Sequence, residues 1–221
     1  MNDWLRPTAF IDSDAPQVMA FARKAVGRET DPRRRAVALY YAVRDGVTYT
    51  PYCDYQSPET YRASAVLAKG AGFCVGKAAL LAAAARAEGI PARLRFADVR
   101  NHLCTPRLRE LMGGDVFVYH GYVELEIEGR WLKATPAFDL ALCERFGVVP
   151  LEFDGREDSI FHAYDRAGRR HMEYLRDRGA HAEVPASEIM AAFAREYPRL
   201  AERAVPPVTR FRDEAGETEG S

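Results

Sequence analysis

Two side chains of this sequence have the chemistry to make and break an acyl bond together: the thiol of Cys74 and the imidazole of His120. Cys74 follows Gly70-Ala71-Gly72-Phe73 and opens an Ala-rich run that reaches Glu88 and stops at Gly89-Ile90-Pro91, the pattern of a helix with a left-handed cap and a proline that forbids continuation. A thiol on the first turn of a helix faces unsatisfied N–H groups and the positive end of the dipole, so a lowered pKa is expected. Its own N–H can also be aimed at a developing oxyanion. A nucleophilic cysteine needs a base, and histidine is the usual one. Of the five histidines, His120 lies in the long strand pattern Val116 to Ile127. Up to Tyr122 both parities of that strand are apolar. Beyond it Val123, Leu125 and Ile127 alternate with Glu124, Glu126 and Glu128. A strand that passes from covered on two faces to open on one marks a cleft wall. Parity groups the His120 side chain with the glutamates unless twist, or a bulge at Gly121, turns it.

The elements that must carry this pair are legible from caps and periodicity. Asp14-Ala15-Pro16 and Asp31-Pro32 start helices over about 15–27 and 32–44, and a short helix covers Ala63 to Lys69. The helix from Cys74 has small side chains on nearly every face, which predicts a buried central position. Ala92 to Ala97 alternates as a strand. Val116 to Ile127 turns at Glu128-Gly129-Arg130 into Trp131 to Thr135, forming a hairpin. Met172 to Leu175 reads as a further strand and Ser187 to Tyr197 as a late helix. Helices, a buried helix, then an antiparallel hairpin sheet give an α+β fold. The expected organisation is a single domain over 1–221. It comprises a helical part (1–60), a core (61–140), a C-terminal extension (141–205) and a flexible tail (206–221).

The 221 residues carry 31 basic and 32 acidic side chains, a net charge of −1, so no nucleic-acid partner is expected. A chain 48% hydrophobic and 29% charged is neither disordered nor collagen-like. No window approaches 18 apolar residues, and the N-terminus lacks the pattern of a signal peptide, so no membrane association and a cytoplasmic location are expected. Four cysteines without a C-x-x-C pair read as reduced thiols. Cys53, Cys74 and Cys104 have no zinc spacing, and the carboxylate-rich stretch Leu151 to His162 lacks the calcium-loop pattern, so no metal or cofactor is expected.

Taken together, Gly72-Phe73-Cys74, Gly89-Ile90-Pro91-Ala92-Arg93, His120-Gly121-Tyr122-Val123-Glu124-Leu125 and Trp131-Leu132-Lys133-Ala134-Thr135-Pro136 resemble the transglutaminase-like superfamily of cysteine enzymes. The resemblance spans roughly residues 64–140. It implies a papain-like core, with the central helix packed on an antiparallel sheet, the thiol at the helix start, and the histidine and an acid on neighbouring strands. It further implies acyl chemistry on a peptide, protein or small amide substrate. Cys74 would form a thioester, with His120 as general base and then acid, and water or an amine would accept the acyl group. The sequence departs from the pattern at the third residue: an Asp is expected before Pro-Thr, and Thr135-Pro136-Ala137 stands there. Asp139 reaching back, Thr135 acting weakly, or loss of the orienting role are the three readings of that departure. The last would suit a non-catalytic peptide-binding module. Lys77 is either a support for the thiolate or a solvated charge. Gln56, Tyr52 and Tyr55 are candidates for an oxyanion donor or a cleft wall, while Arg95 to His102 reads as a polar turn that could face the cleft.

Overall fold

The computed structural model describes residues 2–102, 104–161, 163–165, 167–201 and 210–214. The order is α1 (Pro16–Val26), α2 (Pro32–Gly46), β1 (Thr48–Tyr49), α3 (Ala63–Lys69), β2 (Ala71–Gly72), α4 (Cys74–Ala87), β3 (Ala92–Asn101), α5 (Pro106–Met112), β4 (Val116–Ile127), β5 (Arg130–Ala134), α6 (Leu140–Phe146), β6 (Met172–His181), α7 (Ala186–Glu196), α8 (Pro198–Ala201) and α9 (Arg210–Asp213). The main sheet is antiparallel in the order β5-β4-β3-β6, and β1 pairs with β2 in parallel. This is the α+β arrangement read from the sequence, with a central helix on an antiparallel sheet.

The central helix α4 is buried from Cys74 to Arg86. Its alanines let backbones approach on all sides: α1, α2 and α3 pack on it, and β3 and β4 cover it from the sheet. The closest approach is at Gly76. A Cβ there would stand 2.8 Å from the Thr60 carbonyl oxygen and 2.8 Å from Val66 Cγ2. The helix ends where the sequence says, with Gly89 at φ 75° and the Ile90 N–H bonded to the Ala85 carbonyl at 2.9 Å. From the sheet, Val123 and Leu125 of β4 and Leu94 of β3 complete the core with no exposed surface.

Several elements differ from the sequence reading. β3 continues as strand to Asn101, so Arg95 to Asn101 is not a turn, and β6 runs on to His181. Two helices, α5 and α6, were not expected, although each has a side-chain cap before it (Thr105, Asp139) and a left-handed glycine after it (Gly113, Gly147). Part of the segment expected to fray does not: residues 206–209 and 215–221 lie outside the described residues, but Arg210 to Glu214 packs back on the body. Phe211 finds an aromatic seat against Tyr49, Tyr52 and Phe146, and the buried Glu214 carboxylate finds hydroxyl donors. One ring and one carboxylate suffice where average apolar content would not.

Gly76→Ala tests the helix packing. The methyl group overpacks a backbone contact, at about 1–3 kcal/mol, against the ~1 kcal/mol that Ala gains over Gly inside a helix. Urea unfolding is expected to show a net loss of up to about 2 kcal/mol; a raised midpoint would contradict the contact.

Candidate active site

Cys74 is the first residue of α4, and Phe73 before it has extended backbone. β4 passes directly over this first turn because it carries Gly121 there. A Cβ on Gly121 would sit 2.9 Å from Val75 Cα and 3.3 Å from Val75 N. The approach brings the Gly121 N–H to the Cys74 sulfur, where it joins the N–H groups of Val75 and of Cys74 itself in favouring a thiolate. Burial wins over all three. Cys74 is 8% exposed, and desolvation pushes its thiol up to about 11. The expectation of an acidic sulfur is therefore corrected: the helix terminus is present, but the low-dielectric surroundings outweigh it.

His120 lies one residue before that contact, and its orientation is set by a bulge. Between the pairs Ala97↔His120 and Val99↔Phe117, β4 advances three residues while β3 advances two. Tyr119 absorbs the extra residue at φ 55°. Its N–H leaves the ladder and donates to Asp98 Oδ1 at 3.1 Å, and Arg178 holds the same carboxylate through Nε (2.6 Å) and a terminal nitrogen (2.9 Å) while lying 4.0 Å over the Tyr119 ring. The irregularity thus falls at Val118-Tyr119 rather than at Gly121. His120 is 5% exposed, stacked near Tyr122 and packed against Phe161 at 5.1 Å between centroids. Its Nε2 has no hydrogen-bond partner among the described residues, and desolvation alone draws its pKa down to about 3.

Cys74 and His120 line the same two small chambers, together with Tyr49, Leu108 and Phe117. Each chamber is about 20 Å³, room for about one water. Pro51, Tyr55, Phe73, Phe193 and Tyr197 wall one, and Asn101, Phe138, Phe161, Met172 and Phe211 the other. No hydrogen bond joins the sulfur to the ring, and desolvation favours the neutral form of each. Outside, an open groove of about 350 Å³ runs past His102, Tyr164, Arg170, Glu173 and Tyr174, sharing only the walls Phe161 and Met172 with the inner chamber.

The other candidates fall elsewhere. Asp139 caps α6: Oδ1 accepts from the Leu142 N–H (3.0 Å) and from Arg212 (3.0 Å), and Oδ2 accepts from the Tyr49 N–H (2.9 Å). No hydrogen bond or ion pair links it to His120, so its capping role replaces the orienting role expected of it. Thr135 is 1% exposed, and its Oγ1 has no partner among the described residues. It follows the β4–β5 pair Val123↔Ala134, which puts it level with Tyr122, on the face His120 shares. Lys77 matches neither expectation. It is fully buried, donating to the carbonyls of Arg44 (2.8 Å) and Val47 (2.6 Å), and burial draws it down to about 7. Gln56 is exposed, the Tyr52 hydroxyl is spent on Glu214, and Tyr55 is a wall. Asp98 and Asn101, read from the sequence as part of a polar turn that could face the cleft, stand instead on the extended β3, where Asn101 lines the inner chamber and Asp98 holds the bulge at Tyr119. Among the described residues no group of three or more His, Cys, Asp or Glu could hold a metal, and no helix is long and apolar enough to cross a membrane.

Residues 19–136 match the transglutaminase-like superfamily. Among solved structures, a candidate cysteine protease from Cytophaga hutchinsonii aligns with 80% of the chain at 20% identity and a TM-score of 0.46. A candidate protease from Parabacteroides distasonis aligns with 57% at 18% identity and 0.41. The chain covers 53% and 24% of those proteins, about half or less of their length. No curated protein matches it.

Two pH experiments follow from the burial of the pair. With its thiol near 11, Cys74 should be alkylated by iodoacetamide at a rate rising about tenfold per pH unit from 7 to 10; a plateau near neutrality would reveal an activated thiolate instead. For His120 the folded pKa, about 3, lies below the ordinary 6.5, so on acidification the unfolded chain binds a proton that the folded one refuses. Its contribution to stability is intact above pH 6.5 and is lost progressively from there toward pH 3. Urea melts at pH 7 and pH 5 should therefore show a larger acid loss for the native chain than for His120→Gln; equal losses would mean that the imidazole is not desolvated.

Proposed function

The chain belongs to the transglutaminase-like superfamily, and from that premise we propose that it transfers or hydrolyses an acyl group at an amide bond through Cys74. The observation that carries this reading is the shared chamber: a helix-start thiol and an imidazole whose Nε2 has no competing partner among the described residues face one apolar space.

The resting pair is a neutral thiol and a neutral imidazole, which fits a general-base sequence. As the Cys74 sulfur bonds to the carbonyl carbon, its proton passes to His120 and the C=O electron pair moves onto oxygen. That oxyanion forms beside the N–H groups of Cys74, Val75 and Gly121, which burial makes more effective than they would be in water. Collapse expels the amine, which takes the proton from His120 and leaves a thioester. Water or a second amine then adds, gives a proton to His120, and releases the acid or new amide as the sulfur recovers that proton. With no carboxylate among the described residues on the imidazolium that forms midway, turnover is slow.

The missing carboxylate favours one alternative, a peptide-binding module in which the pair no longer turns over. One experiment separates the two. Blocked peptide p-nitroanilides with apolar residues are incubated with and without hydroxylamine, and acyl adducts are sought on Cys74 by mass spectrometry. Catalysis predicts an adduct and nitroaniline release, both abolished in Cys74→Ala and reduced about 10²–10⁴-fold in His120→Ala. Thr135→Asp, which restores an acid where the resemblance expects one, should speed release. Binding without adduct or release, unaffected by Cys74→Ala, identifies the module; release that survives Cys74→Ala ends the thioester reading.

A further inference from the structure

The thiol chamber is closed from within the chain. Phe211 is 5% exposed and lines the same chamber as Cys74 and His120. Its ring stacks on Phe146 at 5.3 Å and meets Tyr49 at 5.8 Å and Tyr52 at 6.0 Å. Three residues on, Glu214 has no exposed surface. Its carboxylate accepts from the Tyr52 hydroxyl (2.8 and 2.9 Å) and the Thr105 hydroxyl (2.8 Å), with Arg107 Nε at 3.4 Å. Between them, Arg212 reaches the Asp139 carboxylate at 3.0 Å.

A buried carboxylate needs donors built to receive it. The seat here is assembled from two separate parts of the chain: Tyr52 after β1, and the start of α5, where Thr105 is the cap and Arg107 lies in the first turn. The occupant, by contrast, is one short segment far along the chain, the single turn α9 and the Glu214 that follows it. Seats of this kind, an aromatic slot opening on the thiol and a hydroxyl–guanidinium cradle beside it, fit a peptide as well as they fit this turn.

We infer that Arg210–Glu214 is an intramolecular occupant of the substrate cleft: Phe211 fills an aromatic subsite and Glu214 a carboxylate subsite, so that the cleft accepts acidic peptides bearing an aromatic residue once this turn leaves. The inference deepens the acyl-transfer reading and rests on it for the word substrate, but the occlusion itself is independent of any reaction. It accounts for a thiol 8% exposed in a chamber that holds about one water.

Thiol protection tests it in the full-length chain without a turnover assay. Iodoacetamide labelling of each cysteine at pH 8 is followed by peptide mass mapping in the native chain, Phe211→Ala, Glu214→Gln and Tyr52→Phe, with thermal melts in parallel. Cys74 labelling is expected to rise at least tenfold in each variant while Cys143, buried within α6, keeps its native rate. In a Phe211→Ala/Glu214→Ala double variant, the synthetic peptide Arg-Phe-Arg-Asp-Glu at millimolar concentration should slow Cys74 labelling at least threefold, and the same peptide ending in Gln should not. An unchanged Cys74 rate, a parallel rise at Cys143, or no protection by the peptide each overturn the inference. Variants that expose Cys74 yet cleave no p-nitroanilide leave the occlusion standing and remove the acyl-transfer reading.

Discussion

Everything at this site depends on two backbones meeting at Gly121. The strand lies so close to the first turn of α4 that a Cβ would stand 2.9 Å from Val75 Cα. Any side chain there must lift the strand, withdraw the Gly121 N–H from the Cys74 sulfur and carry His120 away with it. The contact is possible only because the rest of the interface is equally spare: α4 presents alanines, and Val123 and Leu125 seat the strand on them further along. Proximity of thiol and imidazole is thus a consequence of core packing, transmitted through one residue that has no side chain.

The same closeness decides the electrostatics. A helix terminus favours an anion by about 0.3–1 kcal/mol, up to ~2 in sheltered geometries. Raising a thiol from its usual 9 to about 11 corresponds to roughly 3 kcal/mol in the other direction. Desolvation therefore wins, even with three N–H groups aimed at the sulfur. For His120 desolvation acts alone: among the described residues no charged group favours the imidazolium. A cysteine at a helix start is a promise of acidity only while water or a cation reaches it.

What the sequence made legible was whatever local chemistry determines. The ends of α4 followed from Gly89 and Pro91, the hairpin from Glu128-Gly129, and the face of the central helix from its alanines. The caps of α5 and α6 were equally present in Thr105-Pro106 and Asp139, but Asp139 drew attention as a carboxylate near the histidine strand and its capping position went unread. The bulge before His120 left no local trace, because the residue forced to positive φ is a tyrosine, and the groups that hold it, Asp98 and Arg178, come from two other strands. Likewise the seat of Glu214 exists only once Tyr52, Thr105 and Arg107 are brought together. Long-range polar contacts of this kind are invisible to periodicity.

The unpartnered atoms weigh on the side of chemistry. His120 Nε2 and Thr135 Oγ1 are both buried without a hydrogen bond among the described residues. Leaving a buried polar group unsatisfied costs about 1–3 kcal/mol, whereas apolar groups of the same shape would cost little. A cleft that merely held peptides would lose nothing by a leucine at position 120, since Phe161, Tyr122 and Phe138 already make its wall aromatic. A desolvated imidazole kept beside a desolvated thiol is stable only as a neutral pair, and a neutral pair is the state from which a proton can move in step with attack. The desolvation cost thus falls on the two groups the proposed thioester mechanism uses, while the unpaired Thr135 Oγ1 stands outside it.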